Sequence, residues 1–242
     1  MAWREGRPKG RKQRQSARTD MGCLLKSSGL YSRMTIGAVL LAAGAGTRLG
    51  GRPKALLELG GVPLVLRQLI ALSGGGVDEL AVVLGHHAES IVPVIEHFPV
   101  TLVHNPQPDN GQVSSLRLGL AALNPSLDAV LVALTDQPLI SEQDISSLIG
   151  AFKKRPAGTA LVVPRCAGQP GNPVIFSAAV REQILAGDVN VGCRKWRTEN
   201  PAAVANFDTD NRRFVLDIDT LQDIEQFERE TGYTLRWPAS RL

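Results

Sequence analysis

The sequence predicts an α/β protein built on a doubly wound, mostly parallel sheet. Three observations carry this. Short apolar runs alternate with segments of helical spacing from Thr35 onward. The runs are continuous rather than alternating with polar residues, as strands read when helices cover both faces of a parallel sheet. The residues with chemical potential follow the runs directly, at the carboxyl ends where such sheets bind ligands.

The strand-like runs are 36–42 (IGAVLLA), 79–84 (ELAVVL), 100–103 (VTLV), 128–134 (DAVLVAL) and 159–163 (TALVV). Helical spacing occupies 62–73, 88–97, 113–123 and 141–153, and the first of these sets Leu64, Val65, Leu69 and Leu72 on one stripe. Right-handed crossovers through these helices generate the doubly wound sheet. Beyond Pro164 the text changes. Strand-like 173–176, 202–207 and 213–218, with helical 177–186, 191–199 and 219–231, describe a subdomain that returns to the sheet. No repeat or long linker interrupts the pattern, so residues 35–235 are read as one domain.

A chain of 242 residues is long enough to bury a sizeable core. Its net charge of +4 belongs to one end. Residues 1–34 carry nine Lys or Arg against Glu5 and Asp20, a local +7 that leaves the other 208 residues at −3. The basic pI therefore predicts no nucleic-acid-binding face on the body. The extension, basic and without apolar periodicity, is expected to be disordered, and translation from Met34 or Met21 is expected instead. Cys23, Cys166 and Cys193 lack C-x-x-C spacing, which fits a reducing cytoplasm better than a disulfide framework. The run Ile36 to Gly46 is too short to span a bilayer, which takes roughly 20 residues, so no membrane partner is expected.

Behind the first strand stands "LLAAGAGTRLGGRPKALLELGG", residues 40–61. Bare backbone and cations in one place suit a polyphosphate: glycines let main-chain N–H groups approach the anion, while Arg48 and Lys54 add charge. The spelling fits neither the dinucleotide fingerprint nor the P-loop, since Leu49 and the pair Arg52-Pro53 stand where those motifs need Gly and Lys-Ser/Thr. It is a phosphate loop of another kind, or a flexible turn.

Further candidates follow the other strands. Gly85 follows the second and Asn105 the third. In "LTDQPLI" an aspartate, Asp136, ends an apolar strand, where it must cap, pair or bind a metal. In "FVLDIDTLQDIEQF" only one of Asp217 and Asp219 is expected to face a given site, and Asp219 is either a metal ligand or the N-cap of the last helix. In "NPQPDNGQVSSLRLGL" the segment from Gly111 to Ser115 opens a helix whose amides suit an anion, with Arg117 one turn further in. The alternative there is capping by Ser114 or Asn110. His86-His87 lacks metalloprotease spacing, and no Ser-His-Asp or Cys-His nucleophile stands out.

Together "LAAGAGTRLGGRPK", Asn105-Pro106, "GQVSSLRLGL", "TDQPL", "GQPGNPVIF", "GCR" and "DIDT" resemble the MobA-like NTP transferases, and among them the molybdenum cofactor cytidylyltransferases, over about residues 35–231. Asn172 departs from the His that many relatives carry in G-H-P, and Leu49 from the commoner Met. The resemblance implies transfer of CMP from CTP to molybdopterin with release of pyrophosphate, and Mg²⁺ as cofactor. It implies that Arg48, Lys54 and Asp136 are catalytic, and that Ala42, Ala43, Gly44, Gly46, Gly85 and Ser115 join them around the nucleotide. Asn105, Ser114, Arg117, Gln137 and Asn172 would meet the acceptor, and Asp136 and Asp219 the metal. A client molybdoenzyme or its chaperone is the further partner implied. The rivals are guanylyl transfer to molybdopterin, transfer to a sugar or polyol phosphate, and a non-catalytic cofactor-handling role.

Overall fold

The computed structural model describes residues 33–238. The expectations about the basic extension concern residues outside that range, apart from Arg33 and Met34. Within it, residues 34–238 belong to one compact unit.

The first strand, β1 (Ile36–Ala42), is buried at all seven positions, as its unbroken apolar spelling requires. It pairs in parallel with β4 (Glu79–Leu84) on one side and with β6 (Ala129–Leu134) on the other. β5 (Thr101–His104) extends the sheet beyond β4, also in parallel. On the other flank β9 (Val174–Ser177) runs antiparallel between β6 and β7 (Leu161–Cys166), and β10 (Val204–Asp208) closes that edge in parallel with β7. The order is β10-β7-β9-β6-β1-β4-β5, with the short β8 (Gln169–Pro170) paired to β7. The predicted doubly wound, mostly parallel sheet is therefore present, its one reversed central strand supplied by the segment that returns to the sheet.

Successive residues of β1 point to opposite faces and seed two cores. Ile36, Ala38 and Leu40 meet α1 (Leu64–Gly74), α2 (Ala88–Ile95) and α4 (Glu142–Lys153). Val39 and Leu41 meet α3 (Gln112–Ala122), α5 (Ala178–Ala186) and, through buried Trp196, α6 (Cys193–Glu199). Among the described residues no helix is long and apolar enough to cross a membrane.

A third, smaller core lies beneath the glycine-rich loop. Leu49 of that loop, Ile218, and Phe227 of α7 (Leu221–Thr231) are buried together there. It is floored by a separate three-stranded sheet in which β2 (Glu58–Leu59) pairs with β3 (Val62–Pro63) and with β11 (Leu235–Arg236), near the end of the described chain. Gly60 and Gly61, both at positive φ, make the two-residue turn of the β2–β3 hairpin. Just past β11, the Trp237 ring lies 5.0 Å from the guanidinium of Arg52.

One expected strand is absent. Residues 213–218 alternate like a strand, but the chain forms a short 3-10 helix, Arg212–Val215, and then runs on without a sheet partner. Its polar backbone groups are satisfied by a loop instead: Ile218 N–H donates to the Asp136 carbonyl at 2.9 Å, and the Phe214 carbonyl accepts from the Gln137 side chain.

Candidate active site

The loop after β1 turns back through a single 3-10 turn, Thr47–Leu49, flanked by Gly46 and Gly50, both left-handed. At Gly46 a β-carbon would collide with the Arg52 carbonyl oxygen, so the loop closes only with glycine there. Leu49 anchors the turn in the small core below it, which leaves Arg48 and Lys54 facing a cavity of about 550 Å³ above the strand ends. His87 ties the loop from outside, its Nε2 donating to the Ala45 carbonyl at 3.0 Å. At the corner, Gly85 lies so close to Ala43 that a β-carbon on it would come within 2.6 Å of the Ala43 carbonyl.

Ala42, Ala43, Gly44, Gly46, Ser115, Asp136 and Asp219 also line this cavity, so most of the residues expected around a nucleotide and metal come together. Gly85 stands behind the wall, buttressing Ala43. The charged centre is a chain of ion pairs. Lys54 Nζ lies 2.6 Å from one oxygen of Asp219 and 3.4 Å from Asp136 Oδ2, while Arg48 donates to the other Asp219 oxygen at 2.9 Å. The bond from Ile218 N–H to the Asp136 carbonyl brings the two aspartate segments side by side.

Asp219 does not cap α7. Thr220 does, its hydroxyl accepting from the Asp223 N–H while the Asp223 carboxylate accepts from the Thr220 N–H. The capping alternative for Asp219 is therefore corrected, and its carboxylate is left to the cation pair. Asp217 also lines the cavity, contrary to the expectation that only one of the two would. Residues two apart along an extended segment share a face, and buried Ile218 between them points the other way.

The carboxylates differ in proton affinity. Burial pushes Asp136 up from 3.8 to about 6, with repulsion from Asp217 and Asp219 adding to it and Lys54 opposing. Burial likewise raises Asp217, helped by the charge of Asp219. Burial would raise Asp219 too, but its bond to Lys54 and the charges of Lys54 and Arg48 bring it below the ordinary value. Oδ1 of Asp136 is buried with no hydrogen-bond partner, so that acceptor is left unsatisfied. Among the described residues no three His, Cys, Asp or Glu form a ready-made metal cluster. Mg²⁺ commonly takes only one or two carboxylates and completes its shell with phosphate and water, so Asp136 with Asp219 fits such an ion.

Several residues expected at the acceptor are committed to the framework instead. Arg117 donates to the carbonyls of Ile184, Leu185 and Asp188 at the end of α5, satisfying groups that a helix C-terminus leaves bare. Buried Gln137 donates to the Asn172 and Phe214 carbonyls, both at 2.9 Å. Buried Asn105 holds Ser114 and Ser115 of α3 through its amide, 2.9 Å from each hydroxyl, and Ser114 in turn donates to the Gly111 carbonyl. In this structure those four side chains serve the framework. Asn172 alone of that group lines a cavity, a second one of about 720 Å³ beside the first. Among the cavity-wall residues given no site role from the sequence are Asp217 and His87, both weighed and set aside, and Arg194, visible beforehand only as part of "GCR".

Comparison with known proteins places this geometry. The nicotine blue oxidoreductase of Paenarthrobacter nicotinovorans is 32% identical over 193 residues, covering 77% of this chain and 93% of that protein. The crystal structure of Rv0371c from Mycobacterium tuberculosis H37Rv matches with a TM-score of 0.70 at 25% identity, covering 82% of this chain and all of that one. The same protein has been solved in complex with manganese, matching with a TM-score of 0.66 at 24% identity over 82% of this chain and 100% of that one. A nucleotidyl transferase from Methanothermobacter thermautotroptrophicus matches with a TM-score of 0.67 at 25% identity, over 82% and 98% of the two chains. Residues 38–204 match the model of the MobA-like NTP transferase domain. The glycine-rich loop, the aspartate after β6 and most of the sheet fall within that match, and the chain belongs to the MobA-like NTP transferase family.

Proposed function

We propose that this nucleotidyltransferase transfers CMP from CTP to the terminal phosphate of molybdopterin and releases pyrophosphate. The observation that supports the reading best is the linkage of Lys54 to both Asp136 and Asp219 in one cavity lined by a glycine-rich loop. A triphosphate entering this cavity draws Lys54 and Arg48 off Asp219 and toward its own oxygens, exchanging one set of anions for another. The main-chain N–H groups of 44–50 and the two cations then hold the departing pyrophosphate, whose charge grows as the bond to the α-phosphorus breaks. Asp136 and Asp219 would be the residues to hold Mg²⁺, which when bound would neutralise charge on the reacting phosphates. No covalent nucleophile is required, since positioning and charge neutralisation supply most of the rate in phosphoryl chemistry.

The test is pyrophosphate release with Mg²⁺ and molybdopterin across the four NTPs. CTP is expected to support turnover well above the others. GTP used equally well would move the assignment to guanylyl transfer, and turnover only with a sugar or polyol phosphate would move it to another acceptor. The relative from Paenarthrobacter carries a second reading by its name, a redox activity. Redox turnover of nicotine blue without pyrophosphate release from any NTP would favour that reading.

A further inference from the structure

Of the two peptide units that flank Gly46, one is locked and the other hangs on a single side chain. The Gly46 carbonyl accepts from the Leu49 and Gly51 N–H groups, at 2.8 and 3.0 Å. The Ala45 carbonyl, one peptide earlier, accepts at 3.0 Å from His87 Nε2, the one bond to that oxygen among the described residues. A carbonyl can only accept, so Nε2 carries a proton. It does so in the imidazolium and in one neutral tautomer alike, so the bond is compatible with either charge of the ring. A trans peptide sets its C=O and N–H on opposite sides, so the same bond turns the Gly46 N–H away from the ring. That N–H and those of Gly44, Ala45 and Thr47 bond to no group among the described residues.

Gly46 sits at φ 65°, and glycine takes positive and negative φ about equally readily. Turning the Ala45–Gly46 peptide over therefore meets little resistance from the backbone. The turned peptide would present a carbonyl oxygen where an N–H had stood, and an anion is bound by the second and repelled by the first. The residue that prevents this stands on a rigid post. His87 directly precedes α2, and its own carbonyl accepts from the Ser90 and Ile91 N–H groups, both at 3.1 Å. Gly85, two residues back, is buried between Ala43 and Pro108, and a β-carbon on it would come within 2.9 Å of both side chains.

We propose that His87 is a positioning residue for the triphosphate: it holds the Ala45 carbonyl away from the anion and keeps the Gly46 N–H among the donors the anion meets. The inference rests on the nucleotidyl-transfer reading above. His87 lines the same cavity as Arg48 and Lys54, but its part differs from theirs. They supply mobile charge, whereas His87 decides which pole of a fixed dipole the phosphates meet. The neighbouring His86 is engaged elsewhere. Its Nε2 lies 2.9 Å from Oδ1 of Asp109, a carboxylate 87% exposed, and so open a pair contributes little.

The experiment titrates the full chain with inorganic tripolyphosphate, CTP and CMP by calorimetry in EDTA. It compares wild type with His87→Ala, His87→Gln, His87→Asn and His86→Ala, with a thermal melt of each. Counted in bonds from Cα, the Gln amide nitrogen stands where Nε2 does, and the Asn amide nitrogen where Nδ1 does. His87→Ala should bind tripolyphosphate and CTP about 10-fold more weakly, as expected for one charge-assisted hydrogen bond lost. CMP lacks the phosphates that the loop holds, so its affinity should change little. His87→Gln should recover most of the loss and His87→Asn should not. His86→Ala should stay within about 2-fold of wild type. Wild-type affinity for tripolyphosphate in His87→Ala, or a Gln variant no better than the Asn one, overturns the proposal. So does a wild type that binds neither tripolyphosphate nor CTP. An equal loss for CMP would make His87 a residue of the base or sugar, and an equal loss in His86→Ala would assign the effect to the whole loop; either overturns it. If His87→Ala melts too low to titrate, the contrast of His87→Gln with His87→Asn decides. A wild type that binds tripolyphosphate through His87 yet releases no pyrophosphate from any NTP would sink nucleotidyl transfer and leave the anion loop standing.

Discussion

Lys54 reaches Asp219 at 2.6 Å across a sequence separation of 165 residues, and the same nitrogen lies 3.4 Å from Asp136. One cation thus holds two carboxylates that a metal would otherwise bring together. Lys54→Ala should lower turnover on the order of 100-fold or more with the fold intact. Steady-state pyrophosphate release beside a circular dichroism melt checks this. Activity within a few-fold of wild type would remove Lys54 from the chemistry.

Neighbouring positions separate catalysis from capping. Asp219→Asn should lose metal-dependent turnover while melting near the wild-type temperature. Thr220→Ala should do the reverse, costing about 1 kcal/mol of stability with little change in turnover. A magnesium titration of each variant and a thermal melt give both readouts. Normal magnesium dependence in Asp219→Asn contradicts the metal role.

Asp136 makes stability depend on pH in an unusual direction. Its carboxyl is raised to about 6 in the folded protein against 3.8 ordinarily, so between those values the folded state holds the extra proton. Stability in metal-free protein therefore falls as pH rises through that window, by an amount on the order of 3 kcal/mol for a shift of this size. Asp136→Asn, which carries no charge to bury, should escape the loss. In EDTA it should melt above wild type at pH 8, with the gap closing near pH 4. A gap that does not change with pH refutes the account.

Gln137 is expected to matter for folding rather than for binding. Its amide fastens the Asn172 and Phe214 carbonyls from a nearly inaccessible position. Gln137→Ala leaves both without this donor and opens a void. It should cost about 2–4 kcal/mol, read as a drop in denaturation midpoint. The acceptor KM measured well below the melt should stay near wild type, and a selective rise in it would return Gln137 to the acceptor site.

Base choice is expected to depend on the corner where Ala43 lines the cavity and Gly85 presses behind it. A base seated on this corner would find the space for a second ring taken by the Ala43 methyl. Exclusion of this kind is worth ~1–3 kcal/mol, or about 10- to 200-fold in specificity. Ala43→Gly should narrow a preference for CTP over GTP in kcat/KM. An unchanged ratio removes this explanation and leaves the chemistry untouched.

The parallel core was legible because fully covered strands spell themselves as unbroken apolar runs, and β1 and β4 begin and end where those runs do. Residues 213–218 misled for a local reason. Phe214, Leu216 and Ile218 alternate as in a strand, yet the Phe214 carbonyl accepts from Gln137 and the Ile218 N–H donates to Asp136, partners no period reveals. Arg48, Lys54, Asp136 and Asp219 could be picked out because charge at the end of an apolar strand, or among glycines, needs a purpose. Arg117 looked equally purposeful. Its true partners are carbonyls at the end of a helix more than 60 residues later, and nothing near it in the sequence announces them. The β2–β3 hairpin did carry a signal, Gly60-Gly61, which reads as a two-residue turn.

The pairing of β11 with β2, and of Trp237 with Arg52, gives the protein a timetable. The glycine-rich loop leaves the ribosome long before its brace. At about 5–20 residues per second the interval is roughly 10–40 s. Over about the last 1–3 s of it, the time to add the residues between Asp219 and β11, a nascent chain can own Arg48, Lys54, Asp136 and Asp219 and still lack the strand that steadies the loop. A chain ending at residue 234 freezes that moment. It should keep the main sheet by circular dichroism and show a raised KM for nucleotide, so competence arrives with β11 rather than with the catalytic side chains.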